Sequence, residues 1–202
     1  MAAGHSPAKT ALRDQVRAAR RRRPLGAAAQ FAADVSGVAL AWAPVRDAAT
    51  VAAYVSVGSE PGTGLLLDAL VAAGKRVILP VVLPDLDLDW AVYDGPQALA
   101  PATRGLYEPT GPRLGRDAIR TADVVLVPGL GVSPAGERLG QGGGCYDRVL
   151  PRVPAGTPVA VVLFDDEVGV AVPAEPHDVR VGFALTASGV TVLGPLESPD
   201  IR

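Results

Sequence analysis

A chain of 202 residues with 49% hydrophobic and 20% charged content can bury a real core without staples and is too apolar to remain disordered. Its net charge of −2 argues against nucleic acid as the main partner, because duplex binding needs a basic surplus. The single cysteine excludes an internal disulfide, and no apolar run approaches the ~20 residues of a membrane span.

The start also lacks a signal-peptide apolar stretch, so the expectation is one domain over residues 1–202, monomeric, cytoplasmic and away from membranes. A first helix is expected over residues 6–22, with Ser6 as N-cap, Pro7 at its first position and Pro24 past its end. Leu12, Val16 and Ala19 would form its apolar stripe, while Lys9 and Arg13, four residues apart, share another face. The run Arg20–Arg23 reads as a solvated, dipole-favoured helix end. A second, alanine-rich helix runs from Gly26 towards Trp42. Strands are expected over residues 50–57, 76–82, 88–93, 123–127 and 159–164, with a helix over 62–73 closed by Gly74. Residues 83–114, rich in proline and aspartate, otherwise read as a surface excursion. Residues 179–186 and 190–193 around Ser188-Gly189 read as a terminal hairpin. Strands alternating with helices imply an α/β fold: a three-layer, mostly parallel, Rossmann-like sheet with helices on both faces and an N-terminal helical segment.

The most informative stretch is residues 124–150. A β-branched run breaks at Pro128-Gly129, a glycine-rich loop follows, and Tyr146, Asp147 and Arg148 open a helix. Strand, glycine loop and helix start present backbone N–H groups to an anion. Gly142, Gly143 and Gly144 allow positive φ and close approach of a phosphate. Arg138 brings a planar charged fork suited to phosphate oxygens, and Asp147 an oxygen ligand for a hard cation. No Gly-Lys-Ser/Thr follows, so this is not the P-loop.

The same residues carry a resemblance. Gly136, Arg138, Leu139, Gly140, Gly142, Gly143, Gly144, Tyr146, Asp147, Arg148 and Leu150 fit the pattern G-x-R-L-G-x-G-G-G-Y-Y-D-R-x-L of the 5-formyltetrahydrofolate cyclo-ligases. Lys9, Leu12 and Arg13 resemble that family's opening K-x-x-L-R, and residues 51–82 its strand, acidic turn, helix and strand, with Glu60 at the glutamate. Gly105, Glu108 and Pro109 resemble its G-x-x-E-P element, and Pro173, Glu175, His177 and Asp178 its P-x-E-x-H-D. The chain departs at Cys145, where the family usually has tyrosine, at Gly182, where it usually has aspartate, and at Gln141, often basic in relatives.

The resemblance implies ATP- and Mg2+-dependent closure of 5-formyltetrahydrofolate to 5,10-methenyltetrahydrofolate, with release of ADP and phosphate. The formyl oxygen would be phosphorylated first, so no enzyme nucleophile is needed. By resemblance, ATP would be held by Lys9, Arg13 and the run Arg138, Leu139, Gly140, Gln141, Gly142, Gly143, Gly144, Cys145 and Tyr146, with Arg138 and Lys9 acting in catalysis. Asp147 and Asp178 would hold Mg2+. Val55 and Glu60, with Gln141 and Cys145, would meet the folate, a carboxylate suiting the donor-rich edge of a pterin. Trp90, Tyr93 and Tyr107 are candidates to pack against its ring, and His177 reads as a structural neighbour and not a general base. The alternative is a relative that binds ATP or folate as a sensor or buffer without turnover.

Overall fold

The computed structural model describes residues 6–175 and 178–194, so His177 lies outside the described residues. The elements in chain order are α1 (Pro7–Arg21), α2 (Leu25–Ala41), α3 (Ala43–Asp47), β1 (Thr50–Ala52), α4 (Gly64–Ala72), β2 (Arg76–Val82) and β3 (Leu88–Val92). There follow β4 (Leu99–Pro101), β5 (Tyr107–Pro109), β6 (Val124–Pro128), β7 (Gly131–Val132), β8 (Arg138–Leu139), α5 (Cys145–Val149), β9 (Val159–Val162), β10 (Phe183–Thr186) and β11 (Gly189–Val192).

Seven strands form one sheet in the order β11-β10-β9-β6-β1-β2-β3. The five central strands run parallel, and β3 and β11 pair antiparallel at the two edges. Residues of β6 alternate between the two faces, as a period of two requires. Val124 and Leu126 pack with Phe31, Val35 and Ala39 of α2 and Leu66, Leu67 and Leu70 of α4. Val125 and Val127 pack on the other side with Ile119, Val149 and Leu150. That double burial is why β6 reads as an unbroken apolar run. The second face is covered by the short α5 and two short 3-10 segments, a thinner layer than the first.

Each local end has a physical cause. Pro7 sits at the first helical turn, where its missing N–H costs nothing, and Ser6 occupies the N-cap position without a side-chain cap bond. Gly74, at φ +76°, ends α4 in a left-handed turn. Strand β1 stops at Ala52 instead of running on to residue 57, because side chains there take over the backbone. Ser56 N donates to Thr63 Oγ1 at 2.9 Å, Thr63 N to Ser56 Oγ at 3.0 Å, and Thr63 Oγ1 to the Tyr54 carbonyl at 2.8 Å.

Three further expectations change. Within residues 83–114, β4 and β5 form a hairpin docked on the sheet, with Glu108 Oε1 accepting from Val82 N at 2.9 Å. The first strand of the terminal hairpin begins at Phe183, not at residue 179. The arginine run is a solvated end only at Arg21 and Arg22, which are exposed: Arg20 is 3% exposed and bonded to Glu167, and Arg23 stacks 4.0 Å from the Phe164 ring centroid. No helix among the described residues is long and apolar enough to cross a membrane.

Candidate active site

The chain leaves β1 for β2 on one side of the sheet, while β6, on the other side of β1, leads on to β9. The crevice at the carboxyl ends of β1 and β6 is therefore a topological switch point, where open α/β sheets place their ligands. The loop after β1 carries Val55 and Glu60, and the loop after β6 carries the glycine-rich run. Helix α1 lies over the second of these, its Leu12 and Val16 seated on Leu130, Leu139 and Val172.

Packing dictates the first part of the β6 loop. A Cβ on Gly129 would stand 2.6 Å from Val161 Cγ2, so glycine is required there by contact alone. The chain then folds into a β7–β8 hairpin that the sequence did not announce, and this delivers Arg138 to the crevice. Arg138 is 5% exposed; Nη2 donates to Asp147 Oδ1 at 2.9 Å and Nη1 to the Pro128 carbonyl at 3.2 Å. Its guanidinium lies 5.8 Å from the Tyr146 ring centroid. A Cβ at Gly140 would come within 2.8 Å of Arg138 Nη1, so the bare backbone there leaves room for the fork. Of the three successive glycines, Gly142 (φ +105°) and Gly144 (φ +68°) adopt positive φ and Gly143 does not.

Helix α1 ties itself to this loop with a row of cations. Arg13 Nε donates to the Gly140 carbonyl at 2.9 Å, and Arg17 Nη2 donates to the Gln141 carbonyl and Oε1, both at 3.0 Å. Gln141 Nε2 donates in turn to Glu60 Oε1 at 2.9 Å, while Glu60 Oε2 accepts from Val57 N at 3.0 Å. The bond from Gln141 to Glu60 joins the two loops across the crevice. Lys9, 3% exposed, is clamped between Glu175 Oε2 at 2.6 Å and Asp178 at 2.6 and 2.7 Å. Burial lowers the Lys9 pKa, but the bonds to Asp178 and Glu175 outweigh it and hold the ammonium above its ordinary range.

The structure thus brings Lys9, Arg13, Arg138, Leu139, Gly140, Gln141, Tyr146, Asp147 and Asp178 into interaction with α1, the glycine loop or its flanks. Asp147 and Asp178 are each held by a different cation, and no group of three or more metal-type ligands forms among the described residues. Trp90 and Tyr93 are the clear corrections: Trp90 is fully buried with Ile78, Leu88 and Val125, and Tyr93 is buried in the other core with its hydroxyl donating to Asp68, so neither has surface to offer a folate ring. Tyr107 is 50% exposed on β5. Val55 is partly buried against the core on the α2–α4 face.

Sequence reasoning missed Arg17, Glu175 and Tyr54. Arg17 extends the i, i+4 spacing of Lys9 and Arg13, a signal that was available. Tyr54 is buried, its hydroxyl has no hydrogen-bond partner among the described residues, and the Tyr146 hydroxyl and Arg138 Nε share that condition. Burial, and then Glu60, push the Tyr54 phenol far above its usual range, so it keeps its proton and has an O–H to donate. A buried polar atom without a partner costs about 1–3 kcal/mol, and the same condition recurs outside the crevice at Trp90 Nε1 and Arg152 Nε.

Cys145 is half-buried at the start of α5, and burial raises its thiol pKa. It therefore stays a protonated thiol at neutral pH, and iodoacetamide at pH 7 should label the native chain more slowly than the denatured chain. Equal rates would show an open, activated cysteine.

A mostly parallel α/β sheet with a cationic, glycine-lined crevice at its switch point is the class these features define. The match to known proteins narrows it. The model of the 5-formyltetrahydrofolate cyclo-ligase family matches residues 5–187, and the chain belongs to that family, a ligase family that forms a carbon–nitrogen bond. It is 49% identical over 142 residues to the 5-formyltetrahydrofolate cyclo-ligase of Mycolicibacterium smegmatis, covering 68% of this chain and 73% of that one. It is 34% identical over 113 residues to the Escherichia coli protein of the same name, covering 55% and 62% of the two chains. Its structure is similar to Aquifex aeolicus 5,10-methenyltetrahydrofolate synthetase, with a TM-score of 0.80, 25% identity and coverage of 94% and 95%. The likeness to the Mycoplasma pneumoniae synthetase, with a TM-score of 0.70 at 19% identity over 89% and 98% of the chains, bears on the fold.

Proposed function

We propose that this chain closes 5-formyltetrahydrofolate to 5,10-methenyltetrahydrofolate at the expense of ATP, in the crevice between the β1 and β6 loops. The observation that carries the reading is the meeting of Arg13, Arg17 and Arg138 on one glycine loop that is bonded across to Glu60. Cations and bare backbone suit a polyphosphate, and the opposing carboxylate suits the donor edge of a pterin. The loop between them is where the two substrates would touch.

The formyl oxygen attacks the γ-phosphorus and ADP leaves. N10 then attacks the activated carbon, the carbon–oxygen bond breaks with loss of phosphate, and the N10 proton passes to solvent. The protein supplies alignment and stabilises charge on the moving phosphoryl group. Arg138 is placed to do the second, because its buried fork is held by Asp147 and the Pro128 carbonyl. Asp147 and Asp178 offer oxygen donors that fit Mg2+, which when bound would neutralise phosphate charge. In the free protein Arg138 and Lys9 balance these carboxylates.

The test is an absorbance assay for the methenyl product with purified protein, 5-formyltetrahydrofolate, ATP and a divalent cation. Product is expected only when nucleotide and cation are both present. Product formed at an unchanged rate with a non-hydrolysable ATP analogue would sink the phosphorylated intermediate. Binding of both substrates without product would replace the enzyme by a sensor or buffer.

A further inference from the structure

Lys9, Arg13, Arg17 and Arg20 stand at spacings of four, four and three, so they line one stripe of α1. The first three reach the glycine loop or the segment around Asp178, but Arg20 turns into the protein. Its side chain is 1% exposed and meets Glu167, 4% exposed, as a two-pronged pair: Nε to Oε1 at 2.8 Å and Nη2 to Oε2 at 2.7 Å. Arg20 Nη2 also donates to the Gly129 carbonyl at 2.7 Å. Glu167 Oε2 accepts from Phe164 N at 3.1 Å, closing the turn after β9.

Gly129 is the second half of the Pro128-Gly129 elbow, and the neighbouring Pro128 carbonyl accepts from Arg138 Nη1. Two guanidiniums, one from α1 and one from the glycine loop, therefore rest on adjacent carbonyls of a single elbow. A pocket of about 190 Å³, lined by Leu12, Val16, Ala19, Glu167 and Val170 among others, lies beside the pair, where Leu12 and Val16 meet Leu130, Leu139 and Val172. Arg20 is a fully buried polar tie near the C-terminal end of α1. We propose that Arg20, through Glu167 and the Gly129 carbonyl, is a positioning residue that sets α1, with the Arg13 and Arg17 that meet the glycine loop, in register with Arg138. This rests on the nucleotide reading above. It gives a buried ion pair a role beyond stability, which such pairs alone are poor at supplying.

The test exploits that weakness. Replacing both partners of a buried pair by apolar groups tends to spare stability, whereas removing one strands a charge. The full-length Arg20→Met/Glu167→Leu double variant should melt near wild type yet show an ATP KM raised about tenfold, with the folate KM within about twofold, since small misplacements of binding groups are costly. Arg20→Lys keeps the charge without the fork and should shift ATP KM the same way, by less. A wild-type ATP KM in the folded double variant overturns the proposal. Should the double variant not fold, a wild-type ATP KM in Arg20→Lys with a lowered Tm overturns it equally. Arg13→Ala, measured beside them, separates the failures. ATP KM raised there but not in the Arg20 variants removes positioning alone, and ATP KM unchanged in Arg13→Ala removes the nucleotide reading itself.

Discussion

Arg138→Ala is expected to lower kcat by about 10²–10³, the scale set by removing one positioned donor from a developing anion. The KM for folate should change little, because the guanidinium contacts Asp147 and the elbow carbonyl, not the Glu60 side of the crevice. An effect confined to the transition state lowers kcat and kcat/KM together, which distinguishes it from lost ground-state binding. Arg138→Lys should recover only a small part, since an ammonium cannot hold Asp147 and Pro128 and still present a planar fork. The alanine variant also leaves the half-buried Asp147 without its cation, so circular dichroism and a melting curve must accompany the kinetics. Wild-type turnover in a folded Arg138→Ala would remove Arg138 from the phosphoryl site.

What the sequence made legible follows from range. The parallel strands were readable because Val124–Val127 and Val159–Val162 are buried on both faces, and burial of that kind writes itself as a local apolar run. The short β7–β8 hairpin was not, since two residues per strand leave no period to detect. The glycine loop and its arginine lie within one stretch and could be read together. Lys9 and its clamp could not: Glu175 and Asp178 stand 166 and 169 residues away, and nothing local says that Lys9 is buried between them. Arg20 misled for the same reason. Four consecutive arginines at a helix end look solvated until a glutamate 147 residues later closes on one of them. Trp90 failed differently, because an aromatic on an apolar strand has the same pattern whether it faces a ligand or the core.

Gly143 offers the sharpest separation of binding from folding. Of the three successive glycines it alone avoids positive φ, and a Cβ there would meet Cys145 Sγ at 3.5 Å and Arg104 Nη1 at 3.9 Å, both ordinary contacts. Gly143→Ala should therefore fold and melt like the parent. What it removes is the close backbone approach that a phosphate needs. A hydrogen bond to a charged group is worth about 1.5–3 kcal/mol, and 1.4 kcal/mol is tenfold in affinity, so ATP binding should weaken by roughly 10–100-fold. Gly143→Val, bulkier at the same point, should lose measurable ATP binding altogether. Gly129→Ala is the opposite control: its Cβ collides with Val161 at 2.6 Å, so it should lower Tm. Calorimetric titration with ATP beside a thermal melt reads both quantities. Parental ATP affinity in Gly143→Val would mean that the phosphates lie elsewhere, and would move the nucleotide off the glycine loop onto the face of α1.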